Sequence, residues 1–213
     1  MDDILIYSDS LTWGIVPDSR KRLAFKKRWP GVFEATLKAK GLNIRVIENC
    51  LNGRRTVWDD PFKPGRNGAD TLAQTIEIHS PLKLVILLLG SNDLQCTHNN
   101  NAWLSAQGTA KLISIIRQAP IEPGMPNPEI MVIAPPAITM PKGVIAHKFN
   151  GAENRGEGLA NELKLVSKEH ATYFFDANDV TSASAIDGIH LDENQHEVLG
   201  KAIAYAVSET KIF

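Results

Sequence analysis

The chain has 213 residues, 43% of them hydrophobic and 22% charged, the make-up of an ordinary globular fold rather than of a disordered or repetitive one. That length predicts one domain spanning 1–213, with loop insertions. Twenty-three Lys and Arg against 24 Asp and Glu leave a formal charge of -1, which excludes a global field that would draw in nucleic acid or an anionic membrane and points to a small-molecule partner.

In chain order, a β-rich apolar run at 4–7 is followed by a helix marked by Val32, Phe33 and Leu37, and then by a second run at 44–47. Leu72 and Ile76 mark the next helix, before a strand at 84–89. Leu112, Ile115 and Ile116 mark a third helix, a strand follows at 130–134, and Leu159, Leu163 and Val166 mark a fourth helix before a strand at 173–175. The last helix is the clearest. Asp192 caps it with Gln195 three residues on, and Val198, Leu199, Ala202, Ile203, Ala206 and Val207 form one apolar stripe.

Five nearly continuously apolar strands separated by helices predict an α/β fold, a parallel sheet covered on both faces. Right-handed crossovers then bring the C-terminal ends of the strands to one rim, where such folds bind ligands. Ser10 follows the first strand, Gly53 the second and Asn92 the third, while Asp187 and His190 lie beyond the fifth. Hydroxyl, imidazole and carboxylate are the groups that nucleophilic acyl transfer needs, and the order Ser, Asp, His is one that triad enzymes on parallel sheets use. Each of these residues taken alone reads as turn chemistry; their convergence on one rim makes them a catalytic hypothesis.

Three irregular stretches, 16–28, 59–68 and 135–151, follow rim strands or the nucleophile turn and are expected to wall the pocket or carry a subunit contact. The first holds Arg20, Lys21, Arg22, Lys26, Lys27 and Arg28, read as a solvated loop, with capture of an anionic substrate or subunit pairing as the alternatives. Leu11, Trp13, Trp58, Phe62 and His98 are candidates for the substrate pocket, the aromatic ones as an apolar acyl or aryl surface. Cys50 and Cys96 lack C-x-x-C spacing and are expected as free thiols. The acidic start Met1-Asp2-Asp3 and the shortness of the apolar runs give a cytoplasmic expectation. Neither cofactor nor metal is expected. A set of Asp187, His190, Asp192 and His196 contains no H-E-x-x-H pair, and the chain has no G-x-S-x-G elbow, phosphate loop or dinucleotide turn.

Four blocks, Ser8-Asp9-Ser10-Leu11-Thr12-Trp13-Gly14, Asn52-Gly53-Arg54-Arg55-Thr56, Leu89-Gly90-Ser91-Asn92-Asp93 and Asp187-Gly188-Ile189-His190, resemble those of the SGNH, or GDSL, hydrolases. The wider context, including Arg28-Trp29-Pro30-Gly31 and Asp59-Asp60-Pro61, is similar to the arylesterase and acyltransferase subgroup. The resemblance implies a three-layer α/β/α, flavodoxin-like fold with a central five-stranded parallel sheet, and a homo-oligomer assembled through the long loops. It also implies Ser10 as nucleophile, His190 as general base and Asp187 as the group that orients it. The backbone N–H groups of Ser10 and Gly53 and the side-chain amide of Asn92 would form the oxyanion hole. Such chemistry hydrolyses small carboxylic esters, short-acyl or aryl, through an acyl-enzyme, with acyl transfer to alcohols beside it. A base must be neutral to take the proton, so activity is expected to rise toward alkaline pH and stay there.

One position departs from the pattern. The first block of the family usually begins with Gly, and this chain has Ser8, whose added side chain has the bulk to crowd the turn or reshape the oxyanion side, while activity is expected to survive because Asp9 to Gly14 keep the pattern. A carbohydrate O-acetyl esterase, favoured by the polar stretch Thr97 to Asn101, and a noncatalytic acyl-ligand-binding scaffold disabled by Ser8 are the alternatives.

Overall fold

Alternate residues of the first apolar run point to opposite sides: Ile4 and Ile6 pack in one core cluster, Leu5 and Tyr7 in the other, and all four are fully buried. They belong to β1 (Asp2–Ser8) of a computed structural model that describes residues 1–213. The other strands are β2 (Ile44–Cys50), β3 (Leu84–Leu88), β4 (Glu129–Ala134) and β5 (Tyr173–Asp176). All pair in parallel in the order β2-β1-β3-β4-β5, so the expected five-stranded parallel sheet is present.

Helices α1 (Ser10–Trp13), α2 (Trp29–Ala39), α3 (Ala69–His79), α4 (Ala102–Arg117), α5 (Ala152–Arg155), α6 (Leu159–Glu169) and α7 (Glu193–Ser208) complete the chain. Trp29, Phe33 and Leu37 of α2 and Leu199, Ile203 and Val207 of α7 cover the face that carries Ile4 and Ile6. Leu72 and Ile76 of α3, Leu112 and Ile116 of α4, and Leu163 and Val166 of α6 cover the other. The result is three layers, α/β/α. The capping box at the start of α7 is formed, with the Asp192 N–H donating to Gln195 Oε1 at 2.7 Å. The stripe on α7 is rotated from the expected one: Ala204 is buried, whereas Val198 is 39% exposed, because the face is set by contact with α2 rather than by apolar identity alone.

The irregular stretch at 135–151 contains the 3-10 turn Gly143–Phe149 and is bound to the C-terminal block. The Thr139 N–H donates to the Gly188 carbonyl at 2.9 Å and the Lys142 N–H to the Asp187 carbonyl at 3.0 Å, which pins the segment bearing the carboxylate. No helix is long and apolar enough to cross a membrane.

Candidate active site

Ser10 opens α1 immediately after β1, and the helix is short because Gly14, at φ 84°, ends it within one turn. Asp9 caps that turn: its Oδ1 accepts the Leu11 N–H at 2.9 Å. On the far side of 180 residues, Asp187 and His190 share a tight turn. Gly188 lies at φ 78°, and a Cβ there would come within 2.4 Å of the Met140 carbonyl oxygen, so both the backbone conformation and the docked 135–151 segment require glycine.

The three groups meet. Ser10 Oγ is 3.2 Å from His190 Nε2, and His190 Nδ1 is 2.6 Å from Asp187 Oδ2. Asp187 Oδ1 accepts the backbone N–H groups of Ile189 and His190, each at 2.9 Å. Burial pushes the Asp187 carboxyl upward, but its bond to His190 and these N–H groups outweigh that and hold it below the usual carboxylate range. An ionised Asp187 accepts the Nδ1 proton, which leaves the Nε2 lone pair directed at the serine hydroxyl.

Ser10, Gly53, Asn92 and His190 line one cavity of about 130 Å³. Neither the Ser10 nor the Gly53 N–H donates to another group of the chain, as donors reserved for a developing oxyanion should not. Gly53 sits at φ 83°, and a Cβ built there would approach only Arg66 Cγ, at 3.9 Å. Within the chain the need for glycine is therefore conformational.

Asn92, the third candidate donor, is held at both ends of its amide. Its Nδ2 donates one hydrogen to Asp9 Oδ2 at 2.7 Å, and its Oδ1 accepts from Gln95 Nε2 at 2.7 Å. Gln95 Oε1 in turn accepts from Arg55 Nη2 at 2.7 Å. This chain fixes the amide plane and leaves the second Nδ2 hydrogen for substrate. Asn92→Ala is expected to lower kcat by about 100 to 1,000-fold with the fold retained, read from ester hydrolysis and a thermal melt. Unaltered turnover would remove the oxyanion role.

Asp93 joins the two loops that carry these donors. Its carboxylate accepts the Thr56 N–H at 2.9 Å, the Thr56 hydroxyl at 2.7 Å and the Ser105 hydroxyl at 2.7 Å. Burial is the dominant influence and raises its pKa from 3.8 to about 6 against those hydrogen bonds. Asp9 is raised to about 6 for the same reason. The folded state thus binds the Asp93 proton more tightly than the unfolded chain does, so the stability linked to it is fully present below 3.8 and is lost as pH rises through 6. In urea melts, the stability of wild type minus that of Asp93→Asn is expected to fall across that interval and then level; a difference independent of pH would show that the group does not titrate there.

Ser8 neither crowds the nucleophile turn nor reaches the cavity. Its Oγ donates to the Leu88 carbonyl of β3 at 2.6 Å and accepts from the Thr12 hydroxyl at 2.7 Å, and Thr12 accepts from Trp29 Nε1 at 3.1 Å. The substituted residue closes a buried hydrogen-bond chain from α2 through α1 to the sheet. Ser8→Gly is expected to destabilise the fold by about 2 kcal/mol, from the lost bonds and the added backbone freedom, while esterase kcat changes by only a few-fold. A fall in kcat of several orders would assign Ser8 a part in the chemistry.

The expected pocket residues are not in the cavity. Leu11 is buried in the core beneath α1, Arg22 stacks over Trp13 at 4.7 Å, and Trp58 faces His98, whose Nε2 bonds the Asp59 carbonyl at 2.6 Å. Phe62 is 88% exposed beside a neighbouring hollow. Ile15, Ile145 and Phe149 supply the apolar wall instead. Larger cavities of about 460 Å³ between α2 and α7, and about 520 Å³ beside β4 and β5, contain none of the three triad residues. His196 accepts the Trp29 N–H at Nδ1, and burial, with Arg28 and His190 nearby, lowers its pKa to about 4, so it is neutral and occupied.

A hydroxyl, an imidazole and a carboxylate in one hydrogen-bonded line at the strand ends of a parallel α/β/α sheet are the groups that a serine hydrolase requires. The chain matches the GDSL-like lipase/acylhydrolase family over residues 9–198, belongs to that family, and is a carboxylic ester hydrolase. It is similar to the inhibitor-bound aryl esterase of M. smegmatis, with 33% identity and TM-score 0.91 over 98% of this chain and 99% of that one. It is also similar to a carbohydrate acetylesterase from Sinorhizobium meliloti, with 32% identity and TM-score 0.90 over 98% and 99% of the two chains. No curated protein matches by sequence.

Proposed function

We propose that the protein is a serine esterase that cleaves small carboxylic esters, short-acyl or aryl, through an acyl-enzyme on Ser10. The observation that carries this reading is the continuous line from Asp187 Oδ2 to His190 Nδ1 at 2.6 Å and from His190 Nε2 to Ser10 Oγ at 3.2 Å, beside two unengaged backbone N–H groups. Ser10 Oγ adds to the ester carbonyl as His190 takes its proton. The carbonyl oxygen becomes an oxyanion held by the Ser10 and Gly53 N–H groups and the Asn92 amide. Collapse breaks the bond to the alcohol oxygen, which leaves with the proton from His190. Water, deprotonated by the same ring, then releases the carboxylic acid and regenerates the serine; an alcohol in its place yields a new ester.

The cavity of about 130 Å³ suits short acyl groups rather than long chains. Likeness to the M. smegmatis aryl esterase supports aryl esters as substrates. Removal of acetyl groups from carbohydrate is a second reading, supported by likeness to the Sinorhizobium meliloti acetylesterase. Parallel assays on para-nitrophenyl acetate and on acetylated sugars, with stopped-flow detection of an alcohol burst, distinguish the two. A folded protein that turns over neither and gives no burst overturns both and leaves a noncatalytic scaffold.

A further inference from the structure

The cavity that holds Ser10 and His190 has a charge asymmetry that hydrolysis of a neutral ester does not require. Arg20, Lys63 and Lys148 line it from three separate loops, and no Asp or Glu shares the lining. Arg20 is at φ 54°, a left-handed backbone position uncommon for a residue with a long side chain, fixed by its N–H bond to the Val16 carbonyl at 2.9 Å. Arg20 and Lys63 form no ion pair. The carboxylate beside them, Asp60, is already shared by the fully buried Arg55 and by Lys148, each at 3.6 Å. Lys63 is held below the ordinary lysine range by partial burial and then by repulsion from Arg66 and Lys148. Cations from 16–28, 59–68 and 135–151 thus gather on the lining of the catalytic cavity, Arg20 and Lys63 without an ion-pair partner, and a bound anion is attracted to that rim.

The geometry points to esters that carry a second, anionic group: a carboxylate on the acyl or alcohol half, held by the Arg20, Lys63 and Lys148 rim while Ser10 attacks the ester carbonyl. This rests on the serine-esterase reading and adds its substrate class. Ile15, Ile145 and Phe149 contact the short apolar portion that separates the two functional groups.

Two matched pairs test it. Monoethyl succinate against diethyl succinate places the charge on the acyl half; para-acetoxybenzoate against its methyl ester places it on the alcohol half. Each kcat/KM is divided by the spontaneous rate of the same ester. At about 10 mM ionic strength, at least one charged ester is expected to exceed its neutral partner by about 10-fold, and near 1 M, where the Debye length is about 3 Å, the ratio collapses toward one. Neutralising all three cations with Met lowers the ratio in low salt, and the single exposed change Arg20→Glu lowers it as well should the triple variant fold poorly. Lys164→Met, exposed on α6 away from the cavity, leaves the ratio as it is. If the neutral esters are hydrolysed and neither charged ester is preferred, the anionic substrate class is overturned while the Ser10 chemistry stands. If none of the four is hydrolysed and Ser10 resists a serine-directed probe, the esterase reading falls and takes this inference with it.

Discussion

Ser10→Ala is expected to lower kcat for a short aryl ester by about a million-fold and to abolish labelling by a fluorophosphonate, leaving the fold unchanged. The size follows from the chemistry: without the oxygen no acyl-enzyme forms, and what survives is attack by water on an ester held near the unengaged N–H groups. The fold is expected to survive because the Ser10 side chain bonds only His190, while the structural bonds at this position are made by its backbone carbonyl, which accepts the Gly14 N–H at 3.1 Å. Intact-mass detection of the phosphonyl adduct with peptide mapping is the check. An adduct of undiminished yield on the alanine variant would place the nucleophile elsewhere.

Asp187→Asn is expected to cost about 10,000-fold in kcat with little loss of stability. The two carboxylate oxygens have separate tasks here. Oδ1 accepts the Ile189 and His190 N–H groups, and an asparagine keeps its amide oxygen there because those donors demand an acceptor. The NH2 group then faces His190 Nδ1, where Oδ2 now stands at 2.6 Å. Two donors cannot share that contact, so the ring moves its proton to Nε2 and can no longer accept the serine proton. Nitrogen-15 NMR of the imidazole reads the tautomer directly. An Nδ1 proton retained in the variant, or near-normal kcat, would dismiss the orienting role.

The candidate residues that the structure brings together were legible because chemistry restricts residue type. A base with a carboxylate three positions away, a serine directly after a buried strand, and an asparagine and a glycine after the next rim strands are few enough that strand counting aligned them. The observed bounds of β1 to β5 differ from the expected runs by a few residues at the ends, where pairing with a neighbour, not hydropathy, decides how far the strand continues. The short α1 and α5 escaped detection because four residues contain too little periodicity.

What surrounds those residues was not legible. Asp9 and Gln95 lie next to recognised motif residues, yet their role in holding the Asn92 amide depends on bonds across 83 and 3 positions. Ser8 reads as an intruder in the sequence and proves to be a link between α1 and β3. The pocket residues chosen for apolar or aromatic character, such as Phe62 and Trp58, do not line the cavity, whereas Ile15, Ile145 and Phe149 do.

Taken alone, the amino-acid order determined the alternation of strand and helix, the parallel sheet and the choice of Ser10, His190 and Asp187 as candidates, since these follow from local hydrophobic period and from the few side chains able to do such a reaction; the structure adds that the three are hydrogen-bonded in line. Tertiary structure decided the direction of each loop side chain, the partner of every buried polar group and the gathering of Arg20, Lys63 and Lys148 beside Ser10. Those depend on how three irregular segments dock on the rim, and packing and hydrogen bonding between distant residues leave no periodic trace in the chain.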